Sequence, residues 1–116
     1  MRFRPLLVAV PVALLAAPAA QALPTFYGTV GPSSTIVLKR ANGTVVRNAS
    51  RGNKTFIIRD RSASHNFHLR GPGVDRRTGV AFMGQRTWSP VLLRVGRYTI
   101  VCDRHPLTMI KHFNVS

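Results

Sequence analysis

Residues Arg97–Met109 read RYTIVCDRHPLTM. The first half alternates, with Tyr98, Ile100 and Cys102 on one parity and Arg97, Thr99 and Val101 on the other. Successive side chains of a β-strand point to opposite faces of a sheet, so this stretch reads as a strand whose Tyr98, Ile100 and Cys102 face inward. The second half leaves the strand through a short turn carrying Cys102, His105 and Met109 in the spacing Cys-x2-His-x3-Met. A thiolate, an imidazole and a thioether from one turn are soft donors of the kind that suit copper.

On both sides of this segment the chain consists of short β-branched and aromatic runs separated by Gly, Pro, Asn and Ser. That is the pattern of an all-β fold, here a Greek-key β-sandwich of seven to eight strands. The expected strands are Phe26–Val30, Thr35–Lys39, Thr44–Arg47, Lys54–Asp60, His65–Arg70, Thr87–Val95, Arg97–Cys102 and Ile110–Val115. Asn42-Gly43 is expected to turn the hairpin between the second and third. Pro90 interrupts its strand and implies a bulge or a sheet edge. Gly71–Arg86, rich in Gly and Arg, reads as a long surface loop.

The same parity applied to His65–Leu69 turns His65, Phe67 and Leu69 inward and leaves Asn66 and His68 on the other face. His65 is therefore the donor available to complete a site with Cys102, His105 and Met109, two imidazoles and a thiolate with a weak axial thioether, the geometry of electron-transfer copper. His68 and His112 are expected to be solvated, and Trp88 to pack in the core or at its rim. Zinc fits less well, because structural zinc prefers several thiolates and this chain has one cysteine.

These residues closely resemble the cupredoxin family, in its plastocyanin-like branch. The resemblance lies in His65-Asn66-Phe67, in Tyr98-Thr99-Ile100-Val101-Cys102, and in the loop bearing Cys102, His105 and Met109; it extends from about Lys54 to the C-terminus and is much weaker before that. It implies one copper ion cycling between cuprous and cupric states, with His65, Cys102 and His105 as equatorial ligands and Met109 as the axial one. It also implies that the Asn66 backbone hydrogen-bonds the Cys102 sulfur, an outer contact of the kind that tunes a metal's potential. The implied activity is one-electron transfer between redox partner proteins. Multicopper oxidases carry a His on each side of the ligand Cys, whereas here the neighbours are Val101 and Asp103; a binuclear copper centre needs a second Cys. An enzyme is therefore not expected. The rival function is a copper carrier or resistance protein, which usually exposes its ligands and clusters Met or His, while here the other methionines are Met1 and Met83.

The N-terminus has a cationic start at Arg2 and Arg4, an apolar run from Leu6 to Ala17, and small residues ending at Ala20-Gln21-Ala22, the layout of a secretory signal peptide cleaved after Ala22. Pro11 and Pro18 interrupt the run, which is short of the roughly 20 apolar residues that span a bilayer, so no transmembrane segment is expected in the mature chain. Residues 23–116 are then a single domain, periplasmic or extracellular. An exported lone thiol cannot close a bridge within its own chain and needs another protector, such as a metal. The formal charge is +14. Removing Arg2 and Arg4 with the leader lowers it to +12, with Asp60, Asp75 and Asp103 as the acidic residues. Such a surface steers toward an acidic protein, a membrane face or a polyanion. Nucleic acid is disfavoured by the export signal and by the lack of a basic helix to enter a groove. A monomer is expected.

Overall fold

Alternating apolar and polar side chains sort the chain into nine strands among the described residues of this computed structural model, which are 2–6, 9, 11 and 22–116. The expected leader, 1–22, lies for the most part outside them. The strands are β1 (Thr25–Val30), β2 (Ile36–Arg40), β3 (Asn48–Ala49), β4 (Gly52–Asp60), β5 (His68–Gly71), β6 (Val74–Arg77), β7 (Gly84–Leu93), β8 (Gly96–Val101) and β9 (Ile110–Val115). They form two mixed sheets, ordered β2-β1-β4-β7 and β3-β9-β8-β5-β6. The fold is an all-β sandwich. Phe26, Leu38, Phe56, Ile58, Trp88 and Leu93 of the first sheet share one core with Leu69, Tyr98, Ile100, Phe113 and Val115 of the second. Trp88 belongs to that core and packs toward Phe67, with ring centroids 6.3 Å apart. Gly28 gives Phe67 its space, since a Cβ there would come within 2.7 Å of the Phe67 ring.

Three stretches differ from the expected strands. Thr44–Arg47 makes a single bridge, Val45 to Lys39, and not a strand. The Asn42-Gly43 turn does form, with the Asn42 carboxamide oxygen accepting from the Thr44 amide at 3.0 Å and Gly43 at φ 86°. Beyond it the chain leaves the first sheet, and β3 pairs in parallel with β9 in the second, where Ala49 joins the core. Gly71–Arg86 is largely ordered pairing and not a loop: β6 folds back on β5, and β7 begins at Gly84 opposite Asp60. Their side chains are mostly exposed, so backbone pairing holds them and no alternation marks them. His65–Arg70 begins its ladder only at His68, leaving His65–Phe67 in the connection from β4. Pro90 behaves as its chemistry requires. It lies on an edge strand where Ser89 and Pro90 together oppose Thr55, a bulge in the β4–β7 ladder.

Tyr98 joins two connections at the end of the sandwich. Its ring stacks on Phe113 at 5.3 Å, while its hydroxyl accepts from the Arg94 amide at 2.9 Å and donates to the Pro72 carbonyl at 2.8 Å. Tyr98→Phe keeps the packing and strands both backbone groups, so it should cost about 1–3 kcal/mol. Urea unfolding should show a lower midpoint with an unchanged slope; an unchanged midpoint would mean that water replaces the hydroxyl at no cost.

Candidate metal centre

Two connections meet at one end of the sandwich. The first leaves β4 at Asp60 and crosses to β5; the second leaves β8 at Val101 and returns as β9 at Ile110. The second is a closed loop, because the Cys102 amide donates to the Met109 carbonyl at 3.0 Å, the His105 amide to the Cys102 carbonyl at 3.0 Å, and the Met109 amide to the His105 carbonyl at 2.9 Å. Cys102 and Met109 therefore sit side by side at its base, 0% and 1% exposed. His105 is half-buried further out, beside exposed Pro106 and Leu107. His65, from the other connection, is buried.

Donor atoms of His65, Cys102 and His105 all lie within 4.8 Å of one another. The Cys102 Sγ is 3.7 Å from Nδ1 of His65 and 3.7 Å from Nδ1 of His105, and the two rings meet edge to face at 4.8 Å. An ion making thiolate and imidazole bonds of ~2.3 and ~2.0 Å, with ~120° between them, would separate sulfur from nitrogen by ~3.7 Å. Both sulfur–nitrogen separations thus suit a thiolate and an imidazole sharing one ion. Met109 contributes a buried thioether at the loop base. One thiolate, two imidazoles and a thioether form a donor set for copper more than for zinc.

Asn66 ties the two connections together. Its Nδ2 donates to Asp103 Oδ2 at 2.7 Å and to the Thr78 carbonyl at 3.1 Å, and its Oδ1 accepts from the Asp103 amide at 2.8 Å. These three bonds all come from the Asn66 side chain and all reach across to neighbouring segments. Thr78 extends the tie: its Oγ1 accepts from the Phe67 amide at 2.9 Å and donates to Asp60 Oδ2 at 3.3 Å.

His68 corrects the sequence reading. It is 7% exposed, not solvated, with Nδ1 2.7 Å from Asp103 Oδ1 and Nε2 2.5 Å from Asp75 Oδ1. Parity assigned it rightly to the face opposite Phe67, but here that face is covered by the Cys102 loop and by β6. His112 is exposed as expected, bonded to Thr99 Oγ1 at 2.9 Å. Neither Asp75 nor Asp103 was singled out in the sequence as a partner for His68. Their scarcity was the available signal, since the chain has three carboxylates against 17 basic residues.

Burial pushes the Asp103 carboxyl up, but hydrogen bonds from His68 and Asn66, with the charges of His68 and Arg77, outweigh it and hold the group below the usual carboxylate range. Asp60 goes the other way: burial raises it, only partly offset by the Ser62 amide, the Thr78 hydroxyl and nearby His65. A lowered carboxylate stabilises the fold at neutral pH and loses that contribution as pH falls through its folded pKa. A raised one destabilises as pH climbs through its own.

No protein-family model and no curated protein matches this chain. Among solved structures, a pseudoazurin from Sinorhizobium meliltoi is similar over 79% of this chain and 73% of its own, at 20% identity and a TM-score of 0.46. A likeness at that distance carries no assignment of function, and the chemistry is read from the geometry.

Asn66→Ala removes three hydrogen bonds, one to a carboxylate, and leaves the Asp103 amide without its acceptor. The metal-free protein should lose about 2–4 kcal/mol in denaturant unfolding, whereas Asn66→Asp should recover the Asp103 amide contact yet place a second carboxylate against Asp103. A loss below about 0.5 kcal/mol for Asn66→Ala, the range of an ordinary surface change, would show that the tie is not structural.

Proposed function

We propose that this chain is a type 1 copper protein of the cupredoxin kind, carrying single electrons between redox partner proteins. The observation that carries this reading is the pair of equal 3.7 Å separations from Cys102 Sγ to His65 and His105, beside the buried Met109. His65, Cys102 and His105 would hold the ion, and Met109 would supply the weak axial thioether. Bound there, copper supplies a one-electron couple between cuprous and cupric states whose potential follows the axial ligand.

The chain's own residues do the rest. Asn66 and the closed 102–109 loop fix the donors in one arrangement, so little moves when the charge changes, which favours rapid exchange. Burial of Cys102, Met109 and His65 keeps water and substrates away, leaving half-buried His105 as the donor nearest solvent. That supports a carrier of electrons over an enzyme. It also counts against copper delivery, which needs ligands open to exchange. Exposed Pro106 and Leu107 flank His105 and offer a surface for a partner. Against 17 basic residues the chain has three aspartates, of which Asp60 is buried, so the basic residues have little acidic surface between them. An acidic partner is the complement of such a surface. Export by a leader at 1–22, a copper-binding domain at 23–116, a periplasmic or extracellular location and a monomeric state complete the reading. Among the described residues no helix is long and apolar enough to cross a membrane.

Copper-loaded, oxidised protein should be intensely coloured by thiolate-to-copper charge transfer. Cys102→Ser and His65→Ala should abolish the band and His112→Ala should leave it; a pale cupric spectrum in the wild type would overturn the assignment. Met109→Gln should retain copper and lower the reduction potential, because an oxygen donor favours the harder cupric ion. Electron self-exchange separates the two functions. Rapid exchange in the wild type fits an electron carrier, whereas slow exchange with ready transfer of copper to a chelator fits the delivery protein.

A further inference from the structure

The buried imidazole of His68 is not a donor of the metal centre, yet it sits between two carboxylates from different elements. We propose that His68 is a positioning residue for the Cys102 loop, a rigid strut that makes the β5–β6 hairpin and the residue following Cys102 move as one body. The inference rests on reading His65, Cys102, His105 and Met109 as the metal ligands.

His68 opens β5, where it lies opposite Val101, the last residue of β8, on one side and Arg77 of β6 on the other. Its ring nitrogens point in opposite directions, Nδ1 reaching Asp103 Oδ1 at 2.7 Å and Nε2 reaching Asp75 Oδ1 at 2.5 Å. An imidazole is flat and has two rotatable bonds, so a contact at each end fixes it almost completely. No amide or hydroxyl side chain of similar size bridges two carboxylates in this way. Asp103 is thereby held at three points: Oδ1 by His68, Oδ2 by Asn66, and its amide by Asn66 Oδ1. Arg77 adds a longer contact to Oδ2 at 3.9 Å.

Asp103 is covalently next to Cys102, so holding its carboxylate and its amide sets the peptide plane between them and with it the direction of the Cys102 side chain. A cluster of this kind is a poor device for stability alone, because the Asp75 side chain is 76% exposed and water screens its charge. Its consequence is geometric. Asn66 reaches Asp103 from the β4–β5 connection, and His68 reaches it from the second sheet, so the thiolate-bearing loop is braced from both directions.

The first measurement needs no metal. Hydrogen exchange at the Cys102, Asp103 and His105 amides, each hydrogen-bonded in the fold, should accelerate about tenfold or more in His68→Leu, as local opening becomes easier there. Amides of β1 and β4 should change no more than global stability requires. His68→Asn, which keeps a donor toward Asp103 and loses Asp75, should recover part of the protection. Asp75→Ala removes only the outer contact and should give an intermediate acceleration; it also serves if His68→Leu does not fold. The second measurement uses copper-loaded protein, in which His68→Leu should shift the charge-transfer band and the reduction potential while copper stoichiometry stays at the wild-type value. Wild-type exchange at these amides in both His68→Leu and Asp75→Ala, or in Asp75→Ala alone if His68→Leu does not fold, would overturn the proposal. An unshifted spectrum in folded His68→Leu would overturn it equally. Wild-type protein without a blue spectrum would instead defeat the copper reading, and the exchange data would still decide whether His68 braces the loop.

Discussion

The two-way hydrogen bond between Asn66 and Asp103 joins the two connections on which the site depends. Cys102, His105 and Met109 come from the β8–β9 loop, and His65 from the passage between β4 and β5. The β5–β8 ladder stops at His68 and Val101, just short of both segments, so side chains complete their alignment. Asn66 uses both its donor and its acceptor on the single residue Asp103. Thr78 anchors Asn66 and Phe67 in turn to Asp60 at the end of β4, so the polar chain runs from one sheet to the other. No buried side-chain nitrogen or oxygen among the described residues lacks a partner. A polar network inside a small core is tolerable only in that state, and a fully satisfied one specifies a unique arrangement.

The distribution of charge follows from the same arrangement. Of the three aspartates, Asp60 ends β4 and is buried, Asp103 follows β8, and Asp75 lies within β6 with its exposed carboxylate against His68. The charged side chains that face solvent elsewhere are arginine and lysine. The proposed attraction for an anionic partner and the proposed bracing of the Cys102 loop thus draw on one feature, the scarcity and placement of acidic residues. The apolar exposed tip at Pro106 and Leu107, next to half-buried His105, interrupts the cationic surface at the point where the donor set comes nearest to solvent.

Packing supports this from beneath. Phe67 follows Asn66 and fills the space that Gly28 leaves open, with Trp88 on its other side. Tyr98 at the far end of β8 stacks on Phe113 and ties the β7–β8 connection to the β5–β6 turn. β8 is therefore fixed at one end by a buried hydroxyl and at the other by the clasp on Asp103, and Cys102 inherits its position from both.

Local sequence determined the elements whose side chains alternate against a core: β1, β2, β4, β8 and β9 were legible to within a few residues, as were the Asn42-Gly43 turn and the irregularity at Pro90. The spacing Cys102-x2-His105-x3-Met109 was legible because all three residues belong to one short loop, whereas His65 precedes β5, where no period of two operates, and only the folded chain brings it to Cys102. β6 and the start of β7 were not legible, since edge pairing that leaves side chains in water imposes no pattern on them. The bracing was hidden too. His68, Asp75 and Asp103 are separated by 7 and 35 residues along the chain, and parity states only which face a side chain takes. Whether that face meets water or another segment is decided when the sheets assemble, and here assembly covered it with the loop that bears Cys102.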